Sequence, residues 1–278
     1  MLYKASVGVY SMNNGRDLGD ISKKNIKIMI EYDGSKYSGW QRLGKTAVDA
    51  VSKSIKKSSI QSVLEYNLSR LLDEDIKLIG SGRTDASVHA LGQVANFYSY
   101  TKLPLKELLI GINRLLPEDI AVLDIEEVDL NFHSRYSAKA KTYEYRIYMG
   151  ETQSVFLRKY TYHEQNELDI VNMKKAASYL VGTHDFKSFS TERKDGKSTV
   201  RTINDIYFHI NGSVLTIGIT GNGFLYNMVR IIIGTLMEIG EGNRGADDML
   251  DILKSKDRQK AGFTVSGHGL FLYRVWYD

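Results

Sequence analysis

The two halves of this chain repeat one order of predicted elements: strand, helix, strand, strand, helix, strand. Alternating apolar residues predict the strands, and apolar residues at helical spacing predict the helices. In the first half these elements are Ile26–Tyr32, Ser59–Leu72, Ile76–Ile79, Gln93–Tyr98, Pro104–Leu116 and Ile120–Val128. In the second half they are Thr142–Tyr148, Glu167–Val181, Ile203–Ile210, Val214–Thr220, Phe224–Ile239 and Leu270–Tyr277. Each half is a βαββαβ unit, so we expect an α+β fold in which two ferredoxin-like halves place their sheets side by side around a cleft.

The remaining segments divide the chain into parts. Residues 1–25 are polar and glycine-containing, and we expect a poorly ordered N-terminal extension there. Residues 26–134 are predicted to form an N-terminal subdomain and residues 135–278 a C-terminal subdomain. Residues 44–58 form a polar, lysine-rich insertion, and Asn243–Lys256 predicts an additional helix.

Composition excludes several classes of function. The chain has no cysteine, which excludes disulfides, thiolate metal sites and cysteine nucleophiles and fits a reducing cytoplasm. We therefore expect a cytoplasmic protein, and because no apolar run is long enough to cross a membrane, we expect no membrane-spanning segment. The six histidines lack ligand spacing and no nucleotide-binding fingerprint is present, so we expect neither a metal nor a cofactor. The net charge of +4 permits a polyanionic partner without requiring one.

One loop combines groups that active sites use. The segment Gly80–Phe97, GSGRTDASVHALGQVANF, places Arg83 two residues before Asp85 on glycine-rich supports. A carboxylate beside a cation is held ionised and can act as a nucleophile or general base. Alternatively, Asp85 only hydrogen-bonds the backbone of its own turn, and the loop by itself favours that interpretation. His89 forms no triad with Asp85, so a packing role is favoured for it.

A second segment, Phe132–Tyr148, is basic and aromatic together, the combination that unstacked RNA bases require. Tyr143 and Tyr145 point to one face of its strand. Its cations are Arg135, Lys139, Lys141 and Arg146. A further basic cluster comprises Arg193, Lys194, Lys197 and Arg201. The alternative for both groups is an ordinary solvated charged surface.

Arg230 stands within GNGFLYNMVRIIIG, in an otherwise apolar predicted helix. A cation there costs free energy unless it is paired or reaches the edge of a cleft. The Arg230 side chain either extends its charge to solvent at the border of the helix or points at the Asp85 carboxylate, as Arg83 is expected to do.

Eight segments follow one another along nearly the whole length from Ile26 to Tyr277: EYDGSKYSGWQ, SIQSVLE, GSGRTDASVHALGQVANF, FHSRYSAKAKTYEYRIY, HDFKSFS, KSTVRTI, GFLYNMVRIIIGTL and GLFLYRVWY. In this order they resemble the TruA-type tRNA pseudouridine synthase family. The resemblance implies the pseudouridine synthase fold, with mainly antiparallel sheets around a central basic cleft. It also implies a homodimeric, cofactor-free and metal-free enzyme that isomerises uridine to pseudouridine in the anticodon stem-loop of tRNA.

Roles follow from the same resemblance. Asp85 would be the catalytic residue, with Arg83 as its ion-pair partner and Arg230 as the second arginine of the pocket. Tyr143 would place its ring on the target uracil, and Phe224 and Leu225 would contact the substrate. Leu270 would belong to the cleft motif of the closing strand. The RNA backbone would be contacted by Arg135, Lys139, Lys141, Arg193, Lys197 and Arg201.

The chain also departs from the family pattern. Ser87 stands where the family usually has glycine, just after the expected catalytic residue. The closing motif lacks its usual proline, and the 44–58 segment is longer than the family loop. None of these departures removes an expected catalytic residue, but they leave open a paralogue that modifies another structured RNA such as ribosomal RNA. A separate alternative is a non-catalytic RNA-binding or chaperone protein on the same scaffold.

Overall fold

The computed structural model describes residues 22–41, 58–191 and 198–278. The predicted N-terminal extension and the 44–58 insertion lie almost entirely outside these residues. Arg193, Lys194 and Lys197 lie outside them as well. Predictions about these parts of the chain therefore stay predictions.

The described residues form ten strands and five α-helices. The strands are β1 Lys24–Tyr32, β2 Ile79–Gly80, β3 His89–Ser99, β4 Ile120–Val128, β5 Ala140–Tyr148, β6 Tyr162–His163, β7 Gly182–Asp185, β8 Val200–Asn211, β9 Val214–Gly221 and β10 Leu270–Trp276. The helices are α1 Ile60–Leu72, α2 Leu105–Leu115, α3 Ile170–Ser178, α4 Met228–Gly240 and α5 Asp248–Ser255. Among the described helices, none has both the length and the apolar character that crossing a membrane requires.

One sheet connects both halves, in the order β4-β1-β3-β10-β5-β9-β8-β7. The two halves share one arrangement, in which the first long strand lies between the last two strands of that half. In the first half β1 lies between β3 and β4, and in the second half β5 lies between β9 and β10. Neighbours along this order are antiparallel except at the junction of the halves, where β3 and β10 run parallel. The expected α+β fold of two βαββαβ halves is confirmed. The subdomain boundary expected near residue 134 remains a prediction.

The parallel junction determines where the cleft lies. Only two residue pairs join β3 to β10, Phe271 with His89 and Leu272 with Ala90. The loop that precedes β3 therefore meets the beginning of β10. On the other side of β10, Leu272 pairs with Tyr143 of β5. The signature loop of the first half is thus brought beside the aromatic strand of the second half.

Several predicted elements have different bounds in the structure. The helix predicted from Phe224 begins only at Met228, because Asn227 has a left-handed backbone with φ 61°. The helix predicted as Glu167–Val181 is the shorter α3, which Asp169 caps at its beginning. Of the strand predicted at Ile76–Ile79 only Ile79 is paired, in β2, and β7 was not predicted.

A buried polar network fixes the link between the two halves. Asn25 Nδ2 donates to the carbonyls of Asp129 and Phe132, at 2.9 Å each. Asn96 Nδ2 donates to Asn25 Oδ1 at 2.8 Å. The backbone N–H and the hydroxyl of Ser134 both donate to Asn96 Oδ1, at 2.9 and 2.8 Å. Since the amides and Ser134 are fully buried, the chain enters the second half along a defined path.

Replacement of Asn96 by alanine should lower the free energy of unfolding by about 2–4 kcal/mol, since it leaves buried groups of Asn25 and Ser134 without partners. Urea denaturation measures the change. Asn131→Ala is the control, because this exposed residue of the same link should change stability by less than about 0.5 kcal/mol. Equal effects of the two substitutions would show that the network contributes nothing.

Candidate active site

A cavity of about 910 Å³ lies where the two halves meet. The first half contributes the loop around Asp85, together with Trp40 and Gln61. The second half contributes Tyr143 and the residues that lead into α4. The volume is that of a site for a small molecule or for one nucleotide taken out of a larger chain.

Asp85 and Arg230 form an ion pair across this cavity. Arg230 Nη1 lies 3.3 Å from Asp85 Oδ2. The same nitrogen donates to Asn227 Oδ1 at 2.8 Å, and Nε donates to the carbonyl of Val265 at 2.7 Å. The guanidinium is therefore oriented by neutral acceptors as well as by the carboxylate. Arg230 is the third residue of α4, so it lies at the end of the helix and not within its apolar part.

Burial raises the pKa of the Asp85 carboxyl above its ordinary value, and the charge of Arg230 offsets this effect only in part. A carboxylate that is only partly compensated is more basic than an exposed aspartate. Such a group can accept a proton or attack an electrophilic carbon near neutral pH.

Arg83 has a different position from the one that the sequence suggested. It is exposed and lines the cavity, and the ion pairs of the described residues include none between Arg83 and Asp85. The reason lies in the neighbouring residues, which anchor the loop inward: Ser81 Oγ donates to Gln93 Oε1 at 2.7 Å, and Thr84 Oγ1 lies 2.7 Å from the Tyr32 hydroxyl. Between these two buried anchors the Arg83 side chain points outward. The ion pair assigned to Arg83 is made by Arg230 in this structure.

Close backbone contacts hold the Asp85 loop in place. Trp40 N–H donates to the carbonyl of Thr84 at 3.0 Å. Gly39 has a φ of +103°, and a Cβ there would lie 2.5 Å from the same carbonyl oxygen. From the other side, a Cβ on Gly267 would lie 2.8 Å from the carbonyl oxygen of Ala86. Segments of both halves therefore contact the loop directly, backbone against backbone.

Ser87 occupies a backbone conformation that favours glycine, the residue that the family resemblance led us to expect at this position. Its φ is +64°, in the left-handed region that glycine adopts without steric cost and serine does not. The loop keeps this backbone conformation although the side chain disfavours it. Serine at this position therefore strains the backbone of the loop.

Ser87→Gly should raise the free energy of unfolding by about 0.5–1 kcal/mol, because relief of the left-handed strain exceeds the entropy that glycine adds to the unfolded chain. Urea denaturation measures the change. Ser213→Gly is the matched control: Ser213 lies in a turn outside the positive-φ region, and the same substitution there should lower stability. A lower stability of Ser87→Gly would contradict the strain.

Apolar and aromatic side chains surround the carboxylate. Tyr143 is only 8% exposed and packs edge-on against Phe224, with ring centroids 5.1 Å apart. Burial raises the pKa of the Tyr143 hydroxyl, so the ring stays neutral. Leu225 and Leu270 are buried and line the same cavity. These side chains offer an apolar place for a flat ring beside Asp85.

The charge of the cavity is strongly unbalanced. Its charged lining residues in the described part of the chain are one carboxylate, Asp85, and five cations: Arg83, Arg135, Lys141, Arg201 and Arg230. Burial and the neighbouring charge of Arg135 both lower the pKa of Lys141, and no described carboxylate pairs with its ammonium. An anion bound between Lys141 and Arg135 would stabilise both charges and so raise the pKa of Lys141 again. Lys139 is exposed and does not line the cavity.

His89 has the packing role that the sequence favoured. It is buried, its ring stacks on Phe271 at 4.8 Å, and Gly34 N–H donates to its Nδ1. Its Nε2 lies 3.1 Å from the carbonyl oxygen of His268, which assigns the proton to Nε2. Burial lowers the pKa of His89 although Asp33 lies 3.2 Å away. A neutral His89 thus connects β3 to the loops that surround the cleft. Among the described residues no cluster of potential ligands could hold a metal ion.

Three of the cavity residues that were not predicted from the sequence contribute notable side chains to the site. Asn227 orients Arg230, while Tyr136 and Tyr226 are exposed aromatic residues in its lining. For Asn227 the signal was available, because asparagine tolerates the left-handed conformation and often stands at a helix boundary. Exposure of Tyr136 and Tyr226 could not be read from the sequence, because it depends on which segments pack against each ring in the folded chain.

Among the described residues, the charged lining of the cavity is one carboxylate of raised pKa and five cations, an arrangement suited to a polyanion on which acid–base or nucleophilic chemistry can act. Comparison with known proteins narrows this class. A family model described as tRNA pseudouridine synthase matches residues 28–137 and 176–278. A protein named tRNA pseudouridine synthase A from Acetivibrio thermocellus is 44% identical over 254 residues, which cover 91% of this chain and 100% of that protein. One of the same name from Thermoanaerobacter sp. (strain X514) is 45% identical, with the same coverage. The chain belongs to the tRNA pseudouridine synthase family.

Proposed function

We propose that this protein isomerises uridine to pseudouridine in the anticodon stem-loop of tRNA, with Asp85 as the catalytic residue. The observation that carries the proposal is the Asp85–Arg230 ion pair, which holds the one described carboxylate of a cation-lined cleft. Choice of tRNA is supported by the names of the related proteins.

The reaction breaks the bond between uracil N1 and the sugar C1′ and forms a bond between C5 and C1′. The C5 proton is lost and N1 gains one, so the atoms balance without an oxidant or reductant. Asp85 can attack the anomeric carbon, remove a proton from the neighbouring sugar carbon, or attack the uracil ring. All three routes require the ionised carboxylate, and the raised pKa makes that carboxylate more basic.

The target base must leave its stack before it reaches Asp85, at a cost of a few kcal/mol. Tyr143 would bind the unstacked uracil, because its buried ring lines the same cavity as Asp85. Phe224, Leu225 and Leu270 would exclude water while the base is detached, so that it rejoins the sugar and is not lost. Arg83, exposed at the cavity, is proposed to act on the RNA and not on Asp85.

The basic residues are proposed to bind the RNA backbone, which positions the stem-loop without reading its sequence. Arg135, Lys141 and Arg201 line the cavity and are supported for this role by their location. Lys139, Arg193 and Lys197 are proposed from the sequence alone. A homodimer and a cytoplasmic location also belong to the proposal. A non-catalytic protein on this scaffold is not favoured, because Asp85 and its partner Arg230 are both present and in contact.

Asp85→Asn should lower kcat for pseudouridine formation by a factor of about 10² to 10⁴, since the amide cannot act as base or nucleophile. Purified protein and a tRNA transcript are sufficient for the assay, and the dissociation constant for tRNA should stay within about threefold. Asp75→Asn removes an exposed carboxylate outside the cavity and should change neither quantity.

Mapping of pseudouridine in total RNA from cells with and without the gene identifies which RNA is modified. Full turnover by Asp85→Asn would refute the catalytic role, and loss confined to ribosomal RNA would refute the tRNA substrate.

Activity should be present above the pKa of Asp85 and be lost as the pH falls through it. Because burial raises this pKa, the loss should begin at a higher pH than for an exposed aspartate. Arg230→Gln removes the charge that lowers the pKa and should move the acidic limb of log kcat/KM to still higher pH, whereas Arg230→Lys should move it less.

The control for this profile is Arg201→Gln, which removes a cation of the cavity that has no contact with Asp85. It should raise KM and leave the acidic limb in place. An unchanged limb in Arg230→Gln would show that this limb does not report Asp85.

A further inference from the structure

Two exposed tyrosines line the cleft in addition to the buried Tyr143. Tyr136 is 78% exposed and Tyr226 is 54% exposed, and both belong to the cavity lining. They come from separate segments, one preceding β5 and the other two residues before α4. Large aromatic side chains that remain exposed at a concave, charged site indicate contact with a ligand, because they contribute little to the core.

Both side chains keep more than half of their surface exposed within the described part of the chain. Neither hydroxyl has a hydrogen-bond partner there. The neighbours of Tyr136 are His133, with ring centroids 4.3 Å apart and tilted by 34°, and the Arg135 guanidinium at 5.8 Å. Most of each ring surface is therefore free to receive another flat group.

Cations accompany both rings. Arg83, Arg135 and Arg201 line the same cavity. A base stacked on either tyrosine would leave its phosphate within the region of these side chains, and a groove of cations with aromatic rings is suited to single-stranded nucleic acid. An apolar protein partner would instead bury the arginines without counter-charges, which costs free energy. The charge therefore favours RNA over a protein.

We infer that Tyr136 and Tyr226 are stacking platforms for the unpaired bases next to the target uridine. The inference rests on the proposed function and defines its substrate more closely. A base inside a duplex has both faces covered by its neighbours, so a platform can hold it only after it has left the stack. The two tyrosines would thus favour uridines in loops and at loop borders over uridines within a continuous duplex.

Binding and turnover of one RNA hairpin, with a reactive uridine at the loop border, test this inference in the full chain. Tyr136→Ala and Tyr226→Ala should each weaken binding about tenfold, mainly through KM, while kcat changes little. Tyr136→Phe and Tyr226→Phe retain the ring and should stay within about twofold of the original protein. Tyr100→Ala is the matched control, because Tyr100 is as exposed as Tyr226 but lies outside the cavity lining.

A second RNA, in which the nucleotide beside the target lacks its base, makes the test specific. The original protein should bind it about tenfold more weakly, and the alanine variant that has lost the matching platform should show no further loss. Additive losses, or alanine variants that bind like Tyr100→Ala, would overturn the inference.

Protein contact is the remaining alternative for these tyrosines. A change in molecular mass of either alanine variant in light scattering would assign that tyrosine to a contact between copies of the chain and overturn the inference. The proposed function is tested separately by turnover of the original protein on the same hairpin. If no uridine is converted, the proposed function fails, while the binding comparison still reports on the platforms.

Discussion

The Asp85–Arg230 ion pair is the contact on which the cleft depends. It joins a loop of the first half to the beginning of α4 in the second half, and its two members are 145 residues apart in the chain. Arg230 is held at the same time by Asn227 and the carbonyl of Val265, so its charge has a defined position. The carboxylate is thereby oriented without being fully neutralised, and burial still raises its pKa. A group that is both positioned and basic is what the proposed reaction requires.

Close backbone contacts explain the fixed path of the Asp85 loop. Gly39 from the first half and Gly267 from the second lie so close to its carbonyls that a methyl group would collide with them. Such contacts leave the loop little freedom, which explains how Ser87 can keep a left-handed backbone. Preorganisation of this kind lets a carboxylate act without reorganisation during the reaction.

The excess of positive charge in the cleft complements this arrangement. Arg135 lies close enough to Lys141 for its charge to lower the pKa of the Lys141 ammonium. Nearby cations without counter-charges raise the free energy of the unliganded cleft, and a phosphate backbone would supply the missing charges. In the proposed function, these cations hold the RNA by its backbone, while Tyr136, Tyr143 and Tyr226 offer rings to individual bases.

The sequence by itself determined the order of the main elements, because apolar periodicity is a local property and was clear in strands such as Thr142–Tyr148. It also indicated Asp85, Tyr143 and Arg230 as residues of one site, through motifs that resemble a family. Only the tertiary structure decided that Arg230 and not Arg83 pairs with Asp85, that α4 begins at Met228, and that Tyr136 and Tyr226 are exposed at the cleft. Such properties depend on the direction of side chains and on contacts between segments far apart in the chain, and neither follows from spacing along a sequence.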